Sequence, residues 1–429
     1  MGFEATLLSI PRRRVLIARP NARQYGHLGL EMLMALAEAR RAAANVYFVR
    51  SRDVPGPGLF ELDSREVRVL RLSRAIGKAA AAHLMIGAWR SRSSEWRRQW
   101  VDGVRSELIH EFTHHAHKKH VPKDVRYQLR QWRRHLQEGR DALRRPSEAP
   151  RSYFQRRLLR EPVETHLRPE AEEEARRSAR AHGIPDDAPI VAIHARESGY
   201  KRGREMQDAK PETGRDDGAR NARIETYFEA CDFLVNLGYT IVRLGDPSMT
   251  PVVRPGIIDI ATSPARSNLL EVFLLLRSEF LIAGESGLLG VSYLTNTPLL
   301  TVNATEPISA YPIRPDGLFV TKQVIDKESG RRLRQEDFLT ETYQNALRST
   351  RRYFYIDNTA AEVAAAAREM RQWVHGERSE SPGQRDYHDR IMAAAADLQT
   401  RLSYIRKWGL DDGFLGDGRI ANVALERVS

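Results

Sequence analysis

Three stretches decide the fold: Ile190-Val-Ala-Ile-His194-Ala-Arg196-Glu197, Tyr239-Thr-Ile-Val-Arg-Leu244-Gly-Asp-Pro247 and Phe280-Leu-Ile-Ala283-Gly-Glu-Ser-Gly287. Each is a short apolar run that breaks into a polar or glycine-bearing loop. Such runs read as strands buried on both faces. Helical spacing lies between them. Ala222 to Leu237 forms one segment, ended by Gly238. Ser267 to Arg277 forms another, with Ser267 or Asn268 as its cap. Leu288 to Leu294 precedes a further strand at Leu299 to Val302, and Ile257 to Ile260 is a short strand of its own. Strand–helix alternation of this kind predicts a doubly wound parallel sheet.

Toward the N-terminus a second α/β unit is expected. Val15 to Ala18 reads as a strand, Arg19 to His27 as a loop, Leu28 to Ala43 as a helix and Val46 to Val49 as the next strand. Short connections of this sort make a βαβ unit. Pro55 to Gly58 is a turn, and Val67 to Leu70 a third strand. From about 93 to 180 the chain turns helical and very basic, with Trp96, Trp100, Val104 and Leu108 at helical spacing. The Pro/Gly stretch Gly183 to Pro189 marks a boundary. The expected organisation is an N-terminal α/β domain over 1–182 carrying the basic segment 93–180, a second α/β domain over 183–358, and a helical extension over 359–429 that packs back.

Composition allows this. Of 429 residues, 41% are hydrophobic and 29% charged, enough to bury real cores and against disorder. The net charge of +12 is carried by Arg, since only nine residues are Lys. It fits an acidic partner: nucleotide phosphates, an anionic membrane face or nucleic acid. The single cysteine, Cys231, rules out a disulfide within the chain and a cysteine-based zinc site. Met1 to Arg14 has its basic cluster after the apolar stretch, unlike a signal peptide. Ala79 to Trp89 is too short to span a bilayer. A cytoplasmic location is expected, with contact at the cytoplasmic membrane face as a compatible role.

In open parallel sheets ligands bind where the strands end at their carboxyl side. Three loops should converge there: His194-Ala-Arg196-Glu197, Gly245-Asp246 and Gly284-Glu285-Ser286-Gly287. The last opens a helix and points backbone N–H groups outward, which suits a diphosphate. Arg196, just past a strand end, can grip phosphate oxygens with two parallel hydrogen bonds. The long polar loop from Ser198 to Asn221 reads as a lid that brings Tyr200, Arg220 and Asn221 toward a ligand. Together these predict binding of a nucleotide-type diphosphate.

The segments His194-Ala-Arg-Glu-Ser-Gly-Tyr200, Arg220-Asn-Ala-Arg-Ile-Glu-Thr-Tyr227, Arg243-Leu-Gly-Asp-Pro-Ser-Met249 and Gly284-Glu-Ser-Gly287 resemble a family of bacterial glycosyltransferases. Tyr25-Gly-His-Leu28 and Glu31 resemble the N-terminal glycine loop of that family. The second half is similar, more distantly, to fucosyltransferases that use GDP-fucose, which share a His-x-Arg motif after a strand. The resemblance implies a GT-B-like architecture of two Rossmann-like doubly wound domains facing a cleft, with the donor held by the C-terminal one. It implies that Arg196 contacts the donor diphosphate, that His194 supports its loop, and that Ser286 and Gly287 line the phosphate pocket. Glu285 stands where relatives often carry small residues, and so places an acid in that loop.

The expected activity is transfer of a sugar from a nucleoside diphosphate sugar, GDP-linked and fucose-like, to an unidentified glycan, lipid-linked, peptide or small-molecule acceptor. Inversion at the sugar, independence of metal and no obligatory cofactor are expected. An inverting transferase uses a base on the acceptor hydroxyl; His27, Glu31 and Glu197 are the candidates. No Asp-x-Asp metal motif stands in a convincing loop, and the pair Asp216-Asp217 in the long polar loop reads as weak for metal binding. Two other classes compete. His110-Glu111-Phe-Thr-His114 matches the H-E-x-x-H pattern of zinc hydrolases, with Glu138 as a third ligand. Basic helices carrying Trp96, Trp100 and Trp132 fit a nucleic-acid binder.

Overall fold

A computed structural model of the chain describes residues 4–10, 13–20, 24–48, 55–71, 159–199, 209–210, 215–305, 311–377, 379–401 and 416–427. The H-E-x-x-H motif, the three tryptophans of the basic segment, Ala79 to Trp89 and Tyr200 lie outside the described residues. No described helix is long and apolar enough to cross a membrane.

The first unit opens with strands β1 (Glu4–Ile10) and β2 (Arg13–Arg19), followed by helix α1 (Tyr25–Arg41) and strand β3 (Ala44–Phe48). Strands β4 (Leu62–Ser64) and β5 (Val69–Arg71) come next, then β6 (Thr165–Leu167) and helix α2 (Pro169–Ala181). Its sheet has the order β1-β2-β3-β5. The βαβ unit is where the sequence put it, with β2 and β3 parallel. Two details differ. Strand β1, which the sequence reading did not assign, lies antiparallel on the edge of β2, so this sheet is mixed. Helix α1 starts three residues before the expected Leu28. Its N-cap, Gln24, makes no side-chain cap, so the local sequence carries no start signal.

The second unit is built on strand β7 (Ile190–His194), every residue of which is buried. A small ladder of β8 (Ala209–Lys210) and β9 (Arg215–Asp216) follows, then helix α3 (Phe228–Asn236) and strands β10 (Thr240–Arg243) and β11 (Ile257–Asp259). Helix α4 (Asn268–Arg277), strand β12 (Ser278–Ala283), helix α5 (Leu288–Leu294) and strands β13 (Leu299–Ala304) and β14 (Leu318–Thr321) continue the alternation. The chain then adds a ladder of β15 (Gln323–Asp326) and β16 (Tyr353–Ile356) with helix α6 (Glu341–Asn345) between them. It ends with helices α7 (Ala360–Val374) and α8 (Pro382–Arg401), strand β17 (Arg419–Ile420) and helix α9 (Asn422–Leu425).

Seven strands form the main sheet in the order β11-β10-β7-β12-β13-β14-β17, and every pairing is parallel. Counting within this unit, the first six follow the doubly wound order 3-2-1-4-5-6, with the direction of winding reversing between β7 and β12. The expected helix over Ala222 to Leu237 is shorter than predicted. Its first turn is 3-10 (Ile224–Tyr227), and α3 stops where Gly238 takes φ +90°, a conformation open to glycine. Ser267 caps α4, its Oγ accepting from Leu270 N at 3.1 Å.

The two faces of this sheet have different covers. One face and the first unit share a single apolar core: Leu16, Leu28, Leu33 and Val46 pack with Ile190, Ala192, Leu274, Leu281 and Leu294. The other face is covered by α3, α7, α8 and α9 through Ala230, Leu234, Ala366, Met370, Tyr387 and Leu398. The described part of the C-terminal extension therefore packs on the second unit and lends its sheet an edge strand. The units meet most closely where α1 crosses α5. A Cβ on Gly26 would come within 2.1 Å of Gly287 O, and one on Gly290 within 2.2 Å of Gly26 O, so only glycine allows this approach.

Candidate functional site

The reversal between β7 and β12 brings two of the expected loops together. Gly284 N donates to His194 O at 3.2 Å, joining the ends of the two strands. His194 is buried, and its Nδ1 lies 2.9 Å from Leu244 O, the carbonyl at the end of β10. That bond assigns the proton to Nδ1. Burial first, then the nearby charges of Arg243 and Arg196, lowers the His194 pKa to about 4, so the ring is neutral and structural at ordinary pH. It therefore ties the Arg196 loop to the Gly245 loop.

Arg196 is buried and turns toward the polar segment that runs from Asp216 to Asn221. Its Nη1 donates to Asp217 O at 3.0 Å and also to Asn221 Oδ1. Asn221 is fully engaged: its Nδ2 donates to Ser198 Oγ at 2.6 Å, and its carbonyl accepts from Lys322 Nζ at 2.6 Å. Arg220 pairs with Asp217 Oδ2 at 3.2 Å, and Arg348 approaches Asp217 Oδ1 at 3.3 Å. Asp217 thus receives three arginines, one on its carbonyl and two on its carboxylate. Burial, then repulsion from Arg348 and Arg196, lowers the Arg220 pKa to about 10, which leaves it cationic at neutral pH. The acidic pair 216–217 does not look outward for a metal. Asp216 caps its own turn, accepting from Gly218 N at 2.7 Å.

Glu285 is in the site but is neutralised. It is buried, pairs with Arg348 Nη2 at 3.6 Å and accepts from Thr305 Oγ1. Its charge is internal to the protein rather than opposed to an incoming anion. Beside it, the Ser286 hydroxyl is buried and makes no hydrogen bond among the described residues. Gly287 sits against Gly26 at the start of α1, so the first turns of α1 and α5 lie side by side. Neither helix has a side-chain cap at its N-terminus.

His27 stands on the first turn of α1, at this junction. Burial, followed by the charge of Arg220, lowers its pKa below 6.5, so its ring is neutral at pH 7. Glu31, one turn along, is completely buried and is withdrawn from any acceptor. Glu197 also fails as a base or ligand contact. Its carboxylate accepts from Arg243 Nη2, Thr250 N and Thr250 Oγ1, each at 3.1 Å. Arg243 is itself wholly buried and bonds Asp259 Oδ2 at 2.9 Å, so Glu197 belongs to a scaffold joining β7, β10 and β11. Asp246 is spent on its own turn, accepting from Ser248 N at 3.0 Å. Gly245 is packed between Met249 and His194.

Of the expected residues, the structure brings His194, Arg196, Arg220, Asn221, Glu285, Ser286 and Gly287 to one place, with His27 at its edge. It sends Glu197 and Asp246 elsewhere. Asp217 and Arg348 are the members that sequence reasoning missed. Asp217 stood in the sequence as half of a weak metal pair, and nothing near Arg348 signals a site.

No family model matches the chain, and no curated protein matches it in sequence. Among solved structures it is similar to the glycosyl transferase family 9 protein of Veillonella parvula DSM 2008, with 14% identity over 73% of this chain and 87% of that one, TM-score 0.38. It is also similar to the ADP-heptose lipopolysaccharide heptosyltransferase II of E. coli, with 13% identity over 85% of this chain and 99% of that one, TM-score 0.40. The NodZ α-1,6-fucosyltransferase soaked with GDP-fucose gives 12% identity over 66% of this chain and 93% of that one, TM-score 0.32.

Proposed function

We propose that the chain is a glycosyltransferase, with the diphosphate of a nucleoside diphosphate sugar bound at the winding reversal of the second unit. The observation that carries this is the buried arginine cluster between the ends of β7 and β12. Arg196, Arg220 and Arg348 converge there on Asp217 and Glu285, which concentrates guanidinium groups in a partly dry site. Such a concentration suits an anion whose charge grows as the sugar leaves. Arg196 and Arg220 would hold the phosphate oxygens, and the Ser286 hydroxyl would donate to one of them. His27, neutral and close to Arg220, would accept the proton of the acceptor hydroxyl.

A GDP-linked, fucose-like donor is the finer reading that the sequence motifs favour. Inversion, independence of metal and the absence of an obligatory cofactor are part of the same proposal. The test is calorimetric binding of GDP, ADP and UDP to the full chain, with and without chelator, in wild type and Arg196→Ala. The expected result is one preferred nucleoside diphosphate, bound equally well after chelation and at least 10-fold more weakly by the variant. Equal binding by Arg196→Ala would remove the donor site from this position. A large loss of stability on chelation would favour the zinc set of His110, Glu111 and His114.

A further inference from the structure

We infer that Arg348 is the positioning residue of this site, locking the Asp217–Asn221 turn so that Arg196 and Arg220 face the ligand; the inference rests on the donor-site reading above. Three observations support it. Arg348 has φ +60°, a left-handed conformation that favours glycine or asparagine, not a long side chain. A residue held there against its preference points to a task for its side chain. Its guanidinium is buried and reaches three separate parts of the chain: Asp217 Oδ1 at 3.3 Å, Thr305 Oγ1 at 3.3 Å and Glu285 Oε1 at 3.6 Å. Its own carbonyl accepts from Asp216 N at 2.8 Å, so main chain and side chain grip the same turn.

Asp217 carries the effect to the ligand side. That residue orients Arg196 through its carbonyl and Arg220 through Oδ2. Arg348 holds the remaining carboxylate oxygen. Without it, Asp217 loses one of its guanidinium partners, and the Asp217 carbonyl that aligns Arg196 loses an anchor. Arg348 also supplies the counter-charge that keeps Glu285 from repelling a phosphate. It acts through these residues and needs no contact with the ligand.

The test compares wild type, Arg348→Gly and the double variant Arg348→Gly/Glu285→Gln. Glycine accepts φ +60° without strain, and the Glu285→Gln change removes the carboxylate that would otherwise be buried without its arginine. The double variant is therefore the folded control. Two readouts are taken: the Kd of the nucleoside diphosphate preferred by wild type, and amide hydrogen exchange across 215–222. The expected result for the double variant is a Kd raised at least 10-fold and exchange in 215–222 at least 10-fold faster, with the strands of the main sheet unchanged. Wild-type Kd, or unchanged exchange in that segment, would overturn the inference. If wild type binds none of GDP, ADP or UDP, the donor-site reading fails. Exchange then still decides whether Arg348 locks the turn.

Discussion

At the scale of single residues the site depends on how its arginines are held. Arg196→Lys tests this. Both protein bonds, to Asp217 O and Asn221 Oδ1, come from Nη1; lysine keeps the charge but, with one nitrogen, cannot make them and also present two parallel donors to a phosphate. Transfer should fall by at least 10-fold in kcat/KM with the melting temperature nearly unchanged. Titration gives two further predictions. On the proposed mechanism the neutral form of His27 is the base, and its pKa lies below 6.5. The acid limb of the kcat/KM profile should therefore fall below pH 6.5, and His27→Gln should abolish that limb. His194 affects stability instead. It titrates near 4 in the fold, against 6.5 for an ordinary histidine. Its contribution is whole above pH 6.5 and is lost as pH falls toward 4, because only the unfolded chain takes up the proton. Urea denaturation should show wild type losing about 2 kcal/mol more than His194→Asn between pH 7 and pH 5. Arg196 and His194 were legible in the sequence because His194 ends a strand and Arg196 lies two residues past it, where ligands bind in this fold. Arg348 was not. It lies 131 positions from Asp217, and no local pattern announces a pairing at that distance.

At the scale of elements, glycine placement fixes how the two units meet. Across the α1–α5 crossing Gly26 faces the backbone of Gly287 and Gly290 faces that of Gly26, and a Cβ on either would lie 2.1–2.2 Å from a carbonyl oxygen. Gly26→Ala should push the helices apart and destabilise the fold by roughly 2–3 kcal/mol, as overpacking does. Gly29→Ala, with its nearest contact at 2.9 Å, should cost less. Urea melts of both variants would check the order, and equal effects would mean the crossing is not tight. On the proposed function nucleotide affinity should fall with Gly26→Ala, since Gly287 ends the loop proposed to hold the phosphates. The main elements could be read from sequence where burial on both faces made continuous apolar runs, as in β7, β12 and β13. Strand β17 could not. It is two residues long and includes Arg419, so only its neighbour β14 makes it a strand. Strand β1 was missed for a related reason. It sits on an edge, and its assignment depends on β2 beside it.

For the whole molecule, the shared core matters more than the boundary that the Pro/Gly stretch marks in the sequence. Leu28, Leu33 and Leu36 of α1 lie in the same apolar cluster as Leu270, Leu281 and Leu294 of the second unit. A linker between independent domains would leave few contacts across it. Here α4 and α5 lie on one face of the main sheet and the first unit packs over them, so removing it would expose their apolar outer sides to water. Calorimetry should therefore record one unfolding transition, not two, and the bound nucleotide should shift all of it. At a ligand concentration of 100 times Kd the added stability is about 2.7 kcal/mol, which for a chain of this length corresponds to a rise of about 3 °C. Two separate transitions, with only the upper or lower one moved by nucleotide, would show that the units hold together less tightly than their core implies. The α1–α5 crossing would then be a contact the ligand makes and breaks, and His27 would reach the donor site only when it is occupied.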